Sequence, residues 1–231
     1  MPVISHLSAR KLLLLLLFFD GLILLLHLTL GSVSTFFHLD FEHNVPTVYQ
    51  AVKLLSAGYL LLFGILELKE KFLDAAERWL LYPLAALFIF LGLDEIGVLH
   101  ENVDHYVREV FPAVADSMLV QAEQVGYFSS TWILYYLPLI ILMGLYGLYA
   151  LRFVIRFRPK LLVLLIAFGG LLASTLVFEF LANQNHVDAG RYQLLAIFEE
   201  SSELFGISLG FVFVVKLFQW LAITNSSSKA K

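Results

Sequence analysis

Asp94, Glu95, His100 and Glu101 stand close together, Glu179 follows in a later apolar stretch, and Glu199, Glu200 and Glu203 form a third group. At about 100° per residue, a helix running through Leu99 puts Asp94, Glu101, Asp104 and His105 on one face, with Glu95 and His100 flanking it. Glu179, Asn183 and His186 share a face at i, i+4 and i+7, and Glu199 and Glu203 are an i, i+4 pair. So many carboxylates cannot all ionise in a low dielectric without help, so either several are protonated or a cation lies among them. An oxygen-rich set with an imidazole suits iron, manganese, magnesium or calcium. Two-metal bundles built on Glu and Glu-x-x-His give a chemical precedent, matched here in part, because Asp104 and not His stands three residues after Glu101. The expected ligands are Asp94, His100, Glu101, Glu179, Glu200 and Glu203, with Glu95 as general base. On the competing structural reading, Glu199, Glu200, Asp104 and His105 are solvated acids and bases at helix ends.

Those residues must be positioned by helices in lipid. Of the 231 residues 60% are hydrophobic and 15% charged, against roughly 45–50% and about 25% in soluble domains. A span needs about 20 mostly apolar residues, and six stretches qualify: 12–30, 48–66, 79–99, 130–151, 161–182 and 204–223. The fold class is therefore an all-α six-helix transmembrane bundle forming one domain. The first span is too long for a secretory signal and no small-x-small site follows it, so it reads as a retained helix. With no cysteine, disulfides and thiolate metal sites are excluded. A net charge of −4 gives no polybasic surface for nucleic acid.

Twelve of the fifteen basic residues, among them Arg10, Lys11, Lys69, Lys71, Arg78, Arg152, Arg156, Arg158, Lys160, Lys229 and Lys231, fall on the side that holds both termini. Lys53, Arg108 and Arg191 fall toward the other. The positive-inside rule then places both termini in the cytoplasm and the carboxylates, with Asp40 and Glu42 of the first outer loop, on the opposite face. Asp20 and Lys216 come out roughly 13 Å from the cytoplasmic end by helical rise, which suggests an ion pair between the first and last spans. His27 has no second buried imidazole at its depth, so haem is disfavoured and a hydrogen-bonded interior imidazole is expected. Gly144 with Gly147, and Gly206 with Gly210, read as sites of close helix approach. The segment 103–128 reads as an amphipathic helix lying on the membrane or over the cluster.

The string from Phe90 to Glu101, FLGLDEIGVLHE, with Phe41 to Thr47 before it and Glu199 to Glu203 after it, resembles a recurrent pattern in uncharacterised bacterial six-pass membrane proteins. The resemblance spans most of the chain and implies that Asp94, Glu95, His100, Glu101, Glu179, Glu200 and Glu203 act together. A fainter resemblance links the chain to membrane hydrolases of the ceramidase and receptor-like type, which hold zinc with several His and an Asp. The expectation is an inner-membrane protein with a cation site open to the extracytoplasmic side; if it is an enzyme, the metal activates water or oxygen against a lipid-borne substrate. The alternatives are a proton- or cation-coupled transporter and a non-catalytic subunit. The bilayer is the expected partner, with a membrane protein or a second copy if the chain is a subunit.

Overall fold

The computed structural model describes residues 8–39, 41, 43–67, 75–124, 132–184 and 187–228. His186, Asp40, Glu42, Lys69, Lys71, Lys229 and Lys231, and 125–128 of the amphipathic segment, lie outside the described residues. The longer elements are α1 (Ala9–Leu30), α2 (Val45–Glu67), α3 (Ala75–Gly97), α4 (Leu99–Val110), α5 (Pro112–Gln124), α6 (Trp132–Phe157), α7 (Leu162–Ala182) and α8 (Ala189–Ser228). Six of them, α1, α2, α3, α6, α7 and α8, are long and apolar enough to cross a membrane.

Local chemistry sets the helix starts. Ser8 Oγ accepts the Lys11 amide at 3.4 Å and opens α1. Asn44 Oδ1 accepts the Thr47 amide at 3.2 Å and opens α2, while its Nδ2 donates to the carbonyls of Thr35, His38 and Phe41. One side chain thus caps a helix and ties down the loop before it. The last helix is 40 residues long, about 60 Å by helical rise, and begins fifteen residues ahead of the expected 204. Its polar first turns project past a hydrocarbon core of about 30 Å.

The second difference lies at Val98, which takes φ 50° and ψ 40°. This left-handed conformation is rare for a β-branched residue and breaks the helix that the sequence carries on through Leu99. Beyond it, α4 and α5 form an arm: Arg108 of α4 reaches Asp116 of α5 at 3.1 Å and Asp104 of its own helix at 3.5 Å.

Packing organises the spans as two close pairs, α2 with α3 and α7 with α8. In the first pair a Cβ on Gly58 would stand 3.0 Å from the Ile89 nitrogen, and one on Gly92 3.1 Å from the Leu55 nitrogen. In the second, Gly206 meets Leu171 and Gly210 meets the Phe168 ring, as their spacing led one to expect. Gly144 and Gly147 differ: nothing lies within 4 Å of their built Cβ positions, so α6 makes no close approach there. The stacked rings of Phe88 and Phe168, 5.6 Å apart, join the pairs across a core that includes Leu61, Leu84, Phe213 and Leu217.

Leu14, Phe18, Phe63, Leu142, Leu145, Val163 and Ile166 are each more than half exposed. An apolar belt of this extent is unfavourable in water and natural in lipid. The bundle has a basic end, with Arg10, Lys11, Arg78, Arg152, Arg156 and Lys160 at helix starts and finishes, and an acidic end carrying Asp94, His100 and the α4–α5 arm. At the basic end the Arg158 guanidinium lies 3.6 Å from the centroid of the Trp220 ring and ties the α6–α7 turn to α8.

Candidate functional site

Two polar centres interrupt the apolar interior, and the deeper one joins three helices. Lys53 of α2 and Asp20 of α1 are 4% and 0% exposed, with Nζ 3.0 Å from Oδ1. The ammonium also donates to the Leu204 carbonyl at 2.8 Å and to Ser208 Oγ at 3.0 Å, both on α8. Its three protons therefore all have acceptors, and the Tyr49 ring lies against it at 4.3 Å. Glu95 and Glu203 are within electrostatic reach of the same ammonium. Asp20 Oδ2 is buried with no partner in hydrogen-bond geometry, although the Tyr49 hydroxyl interacts with the same carboxylate.

The base opposite Asp20 is thus Lys53, and the expected pairing with Lys216 does not form. Lys216 lies eight residues below Ser208 on α8, about 12 Å by helical rise, and its side chain is exposed. Depth counted from the basic end misplaces it, because α8 continues to Ser228. Counted from the acidic end, Asp20 is ten residues inside Leu30 and Lys53 eight inside Val45, within one turn of each other.

The shallower centre is organised around Asp94, which is 9% exposed. Its Oδ1 accepts the backbone amide of His100 and the Tyr136 hydroxyl, each at 3.0 Å, and its Oδ2 lies 3.0 Å from His100 Nδ1. The left-handed turn at Val98 brings the His100 amide and ring back onto a carboxylate six residues earlier, a geometry that a straight helix does not allow. Trp132 packs edge-on against His100 at 5.2 Å and Tyr136 at 5.7 Å, and its Nε1 donates to Glu179 Oε1 at 2.7 Å. Tyr135 donates to Asp104 Oδ1 at 2.9 Å and fastens the arm to α6.

The expected ligand set is divided. Asp94 and His100 bond to each other, Glu179 is held by Trp132, Glu101 is exposed, and Glu95, Glu200 and Glu203 are half-buried. Among the described residues no three Asp, Glu or His side chains are grouped so as to hold a metal ion. The break at Val98 takes Glu101 out of register with Asp94, and Glu179 is engaged separately by Trp132. Lys53, Trp132, Tyr136 and Ser208 are the site residues that the carboxylate count passed over. The signal for Lys53 was present in the sequence: a base five residues inside a span needs an acid at its own depth.

His100 sits outside the spans and is largely buried. Burial alone lowers an imidazole, but the Asp94 hydrogen bond and charge, with Glu203 and Glu101 beyond, outweigh it and raise the ring to about 9. A folded value above the unfolded 6.5 means that the imidazolium's contribution is fully present below pH 6.5 and is lost as pH rises through about 9. Trp132 fluorescence, quenched by the adjoining imidazolium, is therefore expected to rise around pH 9 in the wild type and to lack that step in His100→Gln. A flat wild-type titration would count against a charged His100.

The fold and these centres define an all-α, multi-pass membrane protein with an ion pair buried among its spans. The chain belongs to the family described as a domain of unknown function (DUF8692), whose model matches residues 8–217. No curated protein and no solved structure matches it.

Proposed function

We propose that the protein moves protons across the membrane and that Asp20 and Lys53 are its transport site. The observation that carries this reading is a charged pair buried among the spans with one carboxylate oxygen left over. Such a pair is a poor stabilising device, because apolar residues of similar volume do as well without the desolvation of two charges. Ionisable groups facing the interior of a bundle are instead the usual parts of ion and proton pathways. A proton reaching Asp20 Oδ2 neutralises the carboxylate and weakens its hold on Lys53, loosening the junction of α1, α2 and α8. Glu95 and Glu203 add their negative field to that of Asp20 at the ammonium. Toward the basic end the apolar layer of Leu61, Ile65, Leu81 and Leu217 closes the bundle, so release there requires that layer to part. The basic end is assigned to the cytoplasm by its charge.

The test uses purified protein in liposomes with a trapped pH dye, an imposed pH gradient and valinomycin for charge balance. Wild type is expected to collapse the gradient well ahead of empty liposomes. The double variant Asp20→Asn/Lys53→Met, which leaves no lone charge, is expected to match empty liposomes. Wild-type flux in the double variant, or no flux in the wild type, overturns the reading.

A further inference from the structure

We propose that a cavity lined by His27, His38 and Gln193 is the mouth of a hydrated path that runs from the acidic end of the bundle past Ser201 and Gln50 to Asp20 and Lys53, and that it carries water-borne protons. The inference rests on reading that pair as the transport site. The cavity has a volume of about 220 Å³, lies between α1, the loop after it and α8, and opens at the surface. It has room for several waters at about 30 Å³ each. The Leu39 amide donates to His27 Nδ1 at 3.1 Å, so the neutral ring keeps its proton on Nε2.

From the cavity wall to the ion pair the buried polar atoms form a sequence. His38 Nδ1, Ser201 Oγ, Gln50 Oε1 and Asp20 Oδ2 are each buried without a hydrogen-bond partner. Their order along the helices matches their depth. His27 stands seven residues, two turns, above Asp20 on the same face of α1. Gln50 lies one turn above Lys53 on α2, and Ser201 lies between cavity-lining Ile197 and Ser208 on α8. Ile23, Leu39 and Leu204 pack together at this level with Tyr49, so α1, the loop, α2 and α8 meet there. Unpaired buried polar atoms are expensive, and most so in a bilayer. A run of four that starts at the cavity wall with His38, passes Ser201 and Gln50 and ends on the charge pair at Asp20 is accounted for if water reaches each of them.

By contrast, Asp94 is fully engaged by His100 and Tyr136. That centre serves as the anchor of the α4–α5 arm and does not form the entrance.

The chain has no cysteine, so a single Ser201→Cys reports access without background. In reconstituted protein, a small charged methanethiosulfonate is expected to label Ser201→Cys at least about tenfold faster than Leu142→Cys on the lipid face, because only a hydrated thiol ionises. Adding Ala196→Trp, which fills the cavity from its buried wall, is expected to suppress both the labelling and the proton flux. Labelling at the lipid-face rate in a monodisperse Ser201→Cys protein overturns the path even if wild-type flux is intact. Rapid labelling that Ala196→Trp leaves unchanged overturns it as well. Rapid labelling blocked by Ala196→Trp, in a protein that moves no protons, supports the hydrated path and removes the transport reading instead.

Discussion

Lys53→Met is expected to be the most damaging single change at the buried centre, costing about 3–5 kcal/mol, the range found when one member of a buried ion pair is removed. It leaves Asp20, 0% exposed, without its ammonium and with its second oxygen already unpaired. Asp20→Asn is expected to cost less, because Lys53 keeps the Leu204 carbonyl and Ser208 Oγ as acceptors and gains an amide oxygen in place of the carboxylate. The double variant Asp20→Asn/Lys53→Met is expected to recover most of the loss, since no lone charge remains. Midpoints of thermal unfolding in detergent, read as the surviving monodisperse fraction, rank the variants. Equal midpoints for Lys53→Met and wild type, or a double variant no better than Lys53→Met, would show that the two charges are not coupled. If the transport reading holds as well, stability and flux part company in the double variant, with a folded protein and no proton movement.

The architecture was legible in the sequence because it follows from composition. Runs such as Leu12 to Leu17 and Leu161 to Ile166 require a lipid solvent whatever their partners, and α1, α2, α6 and α7 form close to where those runs lie. The small-residue approach of α8 to α7 at Gly206 and Gly210 was legible for the same local reason. The site was less so, because its geometry depends on two backbone events that residue spacing does not encode. A left-handed Val98 ends α3 and folds His100 back onto Asp94, so counting 100° per residue across it mixes two helices. The early start of α8 at Ala189 likewise shifts which of its residues lie level with Asp20. Charge counting places Lys53 only by the end of the span that it is nearer. The partner question depends instead on depth measured along each helix from a common end.

Gly58→Leu is expected to disrupt the bundle, whereas Gly144→Leu is tolerated. Both glycines lie inside spanning helices, and Leu is the better helix former at either position by roughly 1 kcal/mol. Their surroundings decide the outcome. A Cβ on Gly58 would stand 2.6 Å from Ile89 Cγ1, 3.0 Å from the Ile89 nitrogen and 3.1 Å from the Ala85 carbonyl oxygen. The last two are backbone atoms of α3 and cannot turn aside as a side-chain tip can, so the helices must separate. Forcing extra volume into a packed site costs about 1–3 kcal/mol and at times more. Here the strain also falls five residues, about 7 Å by helical rise, from Lys53. Displacing α2 draws the ammonium away from Asp20 and Ser208, which sit on other helices, so loss of packing and loss of the ion pair add. Around Gly144 a built Cβ meets nothing within 4 Å, so a leucine there extends into lipid. The pair of variants therefore separates the close contact of α2 with α3 from any general intolerance of leucine in a span. Gly144→Leu is expected to match wild type in yield, unfolding midpoint and proton flux, and Gly58→Leu to fall in all three. A stable, active Gly58→Leu protein would mean that α2 and α3 do not approach as closely as their glycines allow.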